Sequence, residues 1–356
     1  MTFATVQAAI AFARAQHQAA GSEAGIGLSF YGGEPLLLRE LIAETIRYCR
    51  HLTEETGQSF HFKITTNGLL LDEAFLTDPL TGEIFVALSH DGIAAAHDAH
   101  RCDGTGLGSF ARLDGQIDLL LSHKPYAPVM MTVTPETVRH YAESVAYLHA
   151  RGFRYLICAL NFAGAWDEAA LRELTRQYRK LATWYERETM RESKFYFSPF
   201  EAKIASHITP GSCRAGRCDF GRRQISVAPN GRLYPCVQFV GDGTDDTYCV
   251  GDVHAGIDEE KHAALYTAND ADKPECVGCA IQERCNHFCG CMNWQSTGNL
   301  QRVAPVVCAH ERIVLPIADK LAARLFKRRN YLFIHKHYND MYPLLSLLED
   351  RLNRET

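Results

Sequence analysis

The placement of its cysteines constrains this chain more than any other feature. Ten of the 13 cysteines in the 356 residues lie between positions 213 and 308. Six of them form the pattern C-x2-C-x5-C-x3-C-x-C-x16-C, and three more precede it: Cys276, Cys279, Cys285, Cys289, Cys291 and Cys308, after Cys213, Cys218 and Cys236. Thiolates are soft donors, and short C-x2-C loops let two sulfurs approach one ion. The region is therefore predicted to bind metal.

Three kinds of cysteine-rich site fit such a pattern. Iron–sulfur clusters and structural zinc are equally compatible with the spacing alone. A disulfide framework is less favoured because it suits small secreted domains, and residues 1–20 do not resemble a signal peptide. The cysteine usage indicates a reducing compartment, and a cytoplasmic location is predicted.

Composition excludes some classes of partner. Hydrophobic residues make up 46% of the chain and charged residues 22%, which is typical of a protein with a substantial core. The net charge of -5 gives no reason to expect nucleic acid or an anionic membrane as partner. No apolar run approaches the roughly eighteen residues needed to span a bilayer, so no membrane partner is predicted.

Short apolar runs alternate with helical segments through the first half of the chain. This alternation, with a repeat of about thirty to forty residues, is typical of parallel β/α architecture. An open doubly wound sheet and a partial barrel both fit. In either one, ligands bind beyond the carboxyl ends of the strands. The strands are predicted at 25–31, 60–68, 83–89, 127–133 and 153–162.

The turns that follow these strands resemble those of a known family. YGGEP at 31–35, TTNG at 65–68 and SHDG at 89–92 are similar, in that order, to the radical S-adenosylmethionine family. The cysteines resemble its SPASM extension, since Cys218, Gly231 and Cys236 fit C-x(9–15)-G-x4-C and the later cysteines fit the rest. HDAHRCDGTGLGSF at 97–110 resembles the peptide-modifying branch. The resemblance favours iron–sulfur over zinc.

The resemblance implies a fold and a domain order. It implies an α/β fold that begins as a partial (β/α)6 TIM-type barrel lacking its first strand, over residues 1–195. A SPASM domain with a small hairpin, ISVAPNGRLYPC, would follow at 196–310, and C-terminal helices at 311–356.

The same resemblance implies which residues bind S-adenosylmethionine. Gly32, Gly33 and Glu34 would hold its amino end, and Ser89 and Asp91 would lie near the ribose or the substrate. An ordinary β/α turn with a solvent-facing Glu34 is the alternative. His90 and His287 are interpreted as rim residues, not as ligands.

Two auxiliary [4Fe-4S] clusters are implied by the interleaved cysteines of SPASM proteins. The first would take Cys213, Cys218, Cys236 and Cys289. The second would take Cys276, Cys279, Cys285 and Cys308. Five cysteines are left over. Cys49, Cys102 and Cys158 are interpreted as plain buried hydrophobes, and Cys249 as the same. Cys291 is interpreted as packing near a cluster.

The sequence departs from the family in two places. It contains no C-x3-C-x2-C, the motif that binds the cluster on which S-adenosylmethionine is reduced. A start codon placed too late, a shortened chain and a genuine loss all remain open, and the chain as written is not expected to generate a radical. Val237 stands where the sulfatase-maturing branch has an aspartate, so that specific activity is doubtful.

The sequence thus leads to two hypotheses. The first is a radical S-adenosylmethionine maturase that abstracts hydrogen from a residue of a ribosomally made peptide or protein. Its partners would be that substrate and an electron donor such as flavodoxin or ferredoxin. The alternative is a non-catalytic iron–sulfur or electron-transfer protein that retains the SPASM domain.

Overall fold

The structure is a computed structural model that describes residues 1–211, 219–241 and 246–355. The predicted ligands Cys213 and Cys218 lie outside the described residues. No helix within the described ranges is both long and apolar enough to cross a bilayer.

A six-stranded sheet organises the first half of the chain. Its strands pair in sequence order, β1-β2-β3-β4-β5-β6, and every neighbouring pair is parallel. The strands are β1 Ile26–Phe30, β2 Phe60–Thr66, β3 Phe85–Ser89, β4 Pro128–Val133, β5 Tyr155–Leu160 and β6 Tyr196–Phe197. The predicted α/β class with a parallel sheet is confirmed.

Helices connect the parallel strands, because a parallel pair needs a long crossover. The α-helices are α1 Phe3–Ala19, α2 Arg39–Thr56, α3 Glu73–Thr77, α4 Ala94–His97, α5 Asp114–His123, α6 Tyr141–Ala150, α7 Glu168–Met190 and α8 Ser198–Ile208. Single 3₁₀ turns at Pro35–Leu38, Phe110–Leu113 and Val138–His140 precede α2, α5 and α6. Polar side chains cap the first turn of several of these helices. Asp167, for example, accepts a hydrogen bond from the backbone N–H of Ala170 at the start of α7.

The two faces of the sheet differ. On one face the side chains are buried beneath the helices, as Val129 and Leu156 are. On the other face Lys63, Thr132 and Ala159 are exposed. Parallel sheets are usually covered on both faces. The exposed face, called the inner face below, is therefore a surface on which a ligand or another segment can lie.

A small antiparallel sheet begins the cysteine-rich region. Its order is β10-β9-β8-β7, and the predicted hairpin is confirmed as β7 paired with β8. Gly231, in the turn of that hairpin, has φ 93°, a conformation that glycine adopts readily. The elements are β7 Ser226–Val227, β8 Arg232–Tyr234, β9 Gly251–Asp252 and β10 Gly256–Ile257, followed by α9 Glu259–Asp270 and α10 Gly290–Thr297. Further 3₁₀ turns lie at Val237–Phe239, Pro274–Cys276 and Gln282–Arg284.

Three helices complete the described chain: α11 Pro305–Lys327, α12 Tyr331–Tyr338 and α13 Tyr342–Glu355. Helix α11 begins with Pro305, a favoured first residue, and so includes Cys308, which the sequence placed before the helix. It contributes Val314, Leu321 and Leu325 to the same core as the β/α strands. The C-terminal helices therefore pack as part of the β/α half, while the exact domain boundaries remain predictions.

Helix α13 is held at the amino ends of three strands by a single carboxylate. Asp350 is 9% exposed and accepts hydrogen bonds from the Tyr126 hydroxyl at 3.0 Å, from Arg154 at 2.5 Å and from Lys194 at 3.1 Å. These donors lie just before β4, β5 and β6. Burial acts to raise the pKa of Asp350, but the hydrogen bonds of Lys194 and Tyr126 and the charge of Arg154 outweigh it and lower that pKa.

We expect Asp350→Asn to lower the free energy of unfolding by about 1–2 kcal/mol at neutral pH, since it removes charge-assisted hydrogen bonds. Because the pKa of Asp350 is lowered in the folded state, its contribution is present above the unfolded pKa of about 3.9 and is lost as pH falls below it. Urea titrations at several pH values measure this. Glu349→Gln, at a half-exposed partner of the same Lys194, is the control and should change stability by less than about 0.5 kcal/mol. Equal effects of the two variants would contradict the role given to Asp350.

Candidate functional site

The turn after β1 is fastened to the end of β2 by Glu34. One oxygen of the Glu34 carboxylate accepts from the Leu36 N–H at 3.0 Å and from the Thr66 hydroxyl at 2.8 Å. The other accepts from the Asn67 N–H at 2.7 Å. Glu34 therefore holds together the two strand-end turns YGGEP and TTNG, and it does not point freely into solvent.

Two glycines beside Glu34 leave open space at this edge of the sheet. A Cβ added at Gly32 or at Gly33 would meet no heavy atom within 4 Å. Gly32 has φ 146°, which side-chain-bearing residues rarely adopt, whereas Gly33 has no positive φ. The backbone of the turn is thus accessible to a small polar ligand, and the space beside it suits the close approach that glycine permits.

The turn after β3 is built around Asp91, which is 5% exposed. One oxygen of its carboxylate accepts from the Thr132 N–H at 2.8 Å and from Arg101 at 3.2 Å, and the other accepts from Arg101 at 2.5 Å. Asp91 thus joins the end of β3 to β4 and to the loop that carries Arg101. Ser89 is half-buried at the last position of β3, beside Met130 of β4. Contacts of Ser89 and Asp91 with a ligand remain predictions.

His90 is buried, although the sequence was interpreted as placing it at the rim. Its ring is fully inaccessible and lies 4.2 Å from the ring of His97 and 5.7 Å from that of Phe110, centroid to centroid. Burial, and then the neighbouring charges of His97 and Arg101, lower the pKa of His90 to about 3. His90 is therefore neutral at physiological pH and packs the end of β3.

The described ligands of the first predicted cluster lie beside Cys291, a cysteine that the ligand assignment did not use. The Cys291 sulfur lies 3.4 Å from the Cys289 sulfur, and the Cys291 side chain is also a close neighbour of Cys236. The bond with Cys291 and backbone N–H donors lower the pKa of Cys236 to about 6 and that of Cys289 to about 7. Cys236 and Cys289 are the two predicted ligands of the first cluster that fall on described residues.

The donors around these two sulfurs come from the start of two short helical segments. The N–H groups of Val237 and Gln238 lie near Cys236 and those of Cys291 and Met292 lie near Cys289, although neither sulfur makes a capping hydrogen bond. N–H donors directed at a sulfur favour its thiolate form. The site therefore suits thiolates that bind metal. The C-x-C spacing of Cys289 and Cys291 was the only sequence signal that pointed to the third thiol.

The second group of predicted ligands also lies together. Cys276 and Cys285 are buried in one small core, and Cys308 packs against them. Burial raises the pKa of Cys276, and the nearby Cys308 and Cys279 raise it further. Burial, followed by the charge of Glu311, raises the pKa of Cys285 to about 12.

No described cysteine takes part in a disulfide. The described part of the chain also contains no three His, Cys, Asp or Glu side chains arranged around a point that could hold a metal ion. The described sulfurs thus lie in two groups, but neither group has the geometry of a metal site. Their chemistry, two groups of neighbouring thiols, fits iron–sulfur ligation.

No protein-family model matches the chain. It is 23% identical over 222 residues to the cysteine-type anaerobic sulfatase-maturating enzyme of Clostridium perfringens strain 13, which covers 60% of each chain. It is 25% identical over 296 residues to the serine-type anaerobic sulfatase-maturating enzyme of Klebsiella aerogenes, over 74% of this chain and 66% of that enzyme. The chain is thus similar, at low identity, to two anaerobic sulfatase-maturating enzymes.

The matched segment spans only about 60% of the length of the Clostridium perfringens enzyme. Solved structures share the fold over more of the chain. Native anSMEcpe with bound AdoMet superposes with a TM-score of 0.74 at 18% identity, over 92% of this chain and 91% of that one. Streptococcus suis SuiB bound to precursor peptide SuiA gives a TM-score of 0.54 at 15% identity, over 84% and 69%.

Proposed function

We propose that this protein is a radical S-adenosylmethionine/SPASM maturase that modifies a residue of a ribosomally made peptide or protein through hydrogen abstraction. The observation that carries the proposal is the glycine turn held by Glu34 at the carboxyl end of the parallel sheet. It is supported by the names of the relatives, which are maturating enzymes.

Each residue of the turn has a separate task in this proposal. Gly32 and Gly33 let the backbone approach the amino end of S-adenosylmethionine, and Glu34 keeps the turn in place by its bonds to Thr66 and Asn67. The bound cofactors, S-adenosylmethionine and its iron–sulfur cluster, supply the radical chemistry. The printed sequence has no C-x3-C-x2-C for that cluster. The proposal for these residues therefore concerns binding and orientation.

The proposed auxiliary centres are two [4Fe-4S] clusters. Cys236 and Cys289 would contribute to the first, together with the undescribed Cys213 and Cys218. Cys276, Cys279, Cys285 and Cys308 would hold the second. Both would exchange electrons with a donor such as flavodoxin or ferredoxin.

A peptide is the proposed substrate class. Related structures contain peptides: native anSMEcpe has been solved with the Cp18Cys peptide and SuiB with its precursor peptide SuiA. In this chain the exposed inner face, with Lys63, Thr132 and Ala159, offers a surface beside the glycine turn on which an extended segment can lie. The substrate is not proposed to be a sulfatase, because Val237 occupies the aspartate position.

The cofactor part of the proposal is tested by Gly33→Ala. The added methyl group meets no atom of the protein and needs no positive φ, so the fold should be unaffected. It would occupy the space proposed for the ligand, and we expect S-adenosylmethionine binding to weaken about tenfold, or by ~1.4 kcal/mol. Equilibrium dialysis of the parent protein and the variant measures this change.

Gly115→Ala is the matched control, since it also adds a methyl group in open space, but within helix α5. It should leave binding unchanged. A parent protein that does not bind S-adenosylmethionine, or equal binding by the Gly33→Ala variant, contradicts the proposed site.

The second candidate is a non-catalytic iron–sulfur protein, supported by the two neighbourhoods of described cysteines. Methionine release from S-adenosylmethionine under reducing, anaerobic conditions separates the two. The assay compares the printed chain with a chain extended through any in-frame C-x3-C-x2-C encoded upstream. Release by the extended chain supports the maturase, and no such upstream motif supports the alternative.

A further inference from the structure

Lys63 is the only fully charged side chain on the strands of the six-stranded sheet. These strands contain no aspartate or glutamate, and Lys63 of β2 is their only lysine or arginine. Lys63 is exposed on the inner face, and its ammonium group forms no ion pair or hydrogen bond with any residue that the structure describes. Strands of parallel sheets are normally apolar on both faces, so a lysine at this position is unusual.

The two neighbours of Lys63 on the sheet supply no negative charge. In the register of the strands Lys63 lies beside Ser29 of β1 and Phe85 of β3. Both are exposed, and they offer a hydroxyl group and an apolar ring. A lysine ammonium group has three donors and no acceptor. The described residues therefore leave Lys63 available to a carboxylate of another molecule.

Lys63 lies close to the site proposed for the cofactor but not within it. It precedes Thr66 by three residues on β2, and the Thr66 hydroxyl donates to Glu34 of the glycine turn. Three residues of a strand span about 10 Å. The Lys63 side chain is on the inner face, whereas that of Thr66 is buried. A group that binds to Lys63 would thus lie next to the cofactor site, on the surface proposed for the peptide.

We propose that Lys63 binds a carboxylate of the substrate, and that the protein prefers a peptide with an aspartate or glutamate near the residue that is modified. This inference rests on the proposed function, because it uses the same inner face as the peptide. It adds a chemical class to that function, since it names an acidic peptide as the substrate.

The composition of the strands makes this contact selective. Hydrogen bonds between charged groups are roughly twice as strong as those between neutral groups. No acidic residue of the strands competes for Lys63, and none would attract a basic peptide. The exposed hydroxyl groups of Ser29 and Thr132 can pair with peptide amides whatever the charge of the peptide. Lys63 is therefore the strand residue that distinguishes peptides by their charge.

The inference is tested by fluorescence anisotropy with the full chain. The probes are short labelled peptide libraries that carry glutamate, glutamine or lysine at the central position and a mixture of uncharged residues elsewhere. We expect the parent protein to bind the glutamate library about tenfold more tightly than the glutamine library. Lys63→Met should remove this preference, and Lys63→Glu should reverse it in favour of the lysine library. Both variants should bind S-adenosylmethionine as the parent does.

Lys320→Met is the matched control, because Lys320 is an exposed lysine on helix α11, which packs on the covered face of the sheet. It should keep the preference for glutamate. A parent protein that binds none of the libraries contradicts the peptide part of the proposed function. Binding without a charge preference, or a preference that survives in Lys63→Met, refutes only the role of Lys63. Weaker S-adenosylmethionine binding in Lys63→Met also refutes that role, because Lys63 would then bind the carboxylate of the cofactor.

Discussion

We expect the Cys289→Ala variant to lose about four irons, which is half of the iron in two [4Fe-4S] clusters. Cys289 lies at the N-cap of helix α10, where the N–H groups of Cys291 and Met292 are near its sulfur. An alanine there leaves those donors without a thiolate and the cluster without one of its four anchors. The β/α half should stay folded, since its core contains no residue of this site. Iron and sulfide analysis after anaerobic reconstitution, with a thermal melt, measures both outcomes.

Two further variants sharpen the experiment. Cys276→Ala should remove the other four irons, and the double variant with Cys289→Ala should remove nearly all, if the clusters are separate. Cys49→Ala is the control: Cys49 is buried between α1 and α2, and burial raises its pKa to about 12. It should keep the parent's iron. Full iron content in Cys289→Ala would rule out the ligand assignment.

The strands of the β/α half were predictable because each apolar run ends at a turn with its own residue signal. The prediction of 60–68 compares with β2 Phe60–Thr66, and that of 127–133 with β4 Pro128–Val133. Strand β6, Tyr196–Phe197, was missed, since two residues show no periodicity. Such a short strand exists because it pairs with Tyr155 and Leu156 of β5, a contact that only the folded chain creates.

The partners of the acidic site residues were not predictable. The hydrogen bond from Thr66 to Glu34 spans 32 residues, and the contact of Asp91 with the Thr132 N–H spans 41. A motif shows that a carboxylate follows a strand, but not which donors the neighbouring strand will present. The sequence therefore located the turns, whereas only the structure shows that both carboxylates also hold strands together.

The cysteines also show which features the sequence pattern predicts and which ones only the folded chain shows. The resemblance implied two groups of ligands, and among the described cysteines Cys236 lies near Cys289 and Cys276 lies near Cys308. The ligand assignment did not use Cys291, because the family pattern is a set of intervals along the chain and has no position for an extra thiol. The contact with Cys236 depends on the hairpin of β7 and β8, which lies more than fifty residues earlier in the sequence.

The second large effect is expected from Lys203→Met. Lys203 on α8 and Glu311 on α11 form an ion pair with side chains only 4% and 1% exposed, at 2.7 Å. The Lys203 ammonium also donates to the Arg284 carbonyl at 3.3 Å, directly before Cys285. Methionine preserves the apolar stem but leaves the Glu311 charge buried without its cation. Breaking such a pair typically costs about 3–5 kcal/mol, and we expect a loss of that size in urea titrations.

The double variant Lys203→Met, Glu311→Leu separates the charge from the packing. If the cost comes from an unpaired buried carboxylate, removal of that carboxylate should recover most of the stability, since apolar replacements of buried pairs are often neutral. Arg172→Ala is the control, because Arg172 pairs with Glu168 on the exposed face of α7, and it should change stability by less than about 0.5 kcal/mol. A loss in the double variant as large as in Lys203→Met would show that volume and the bond to Arg284, not charge, hold α8, α11 and the Cys285 loop together.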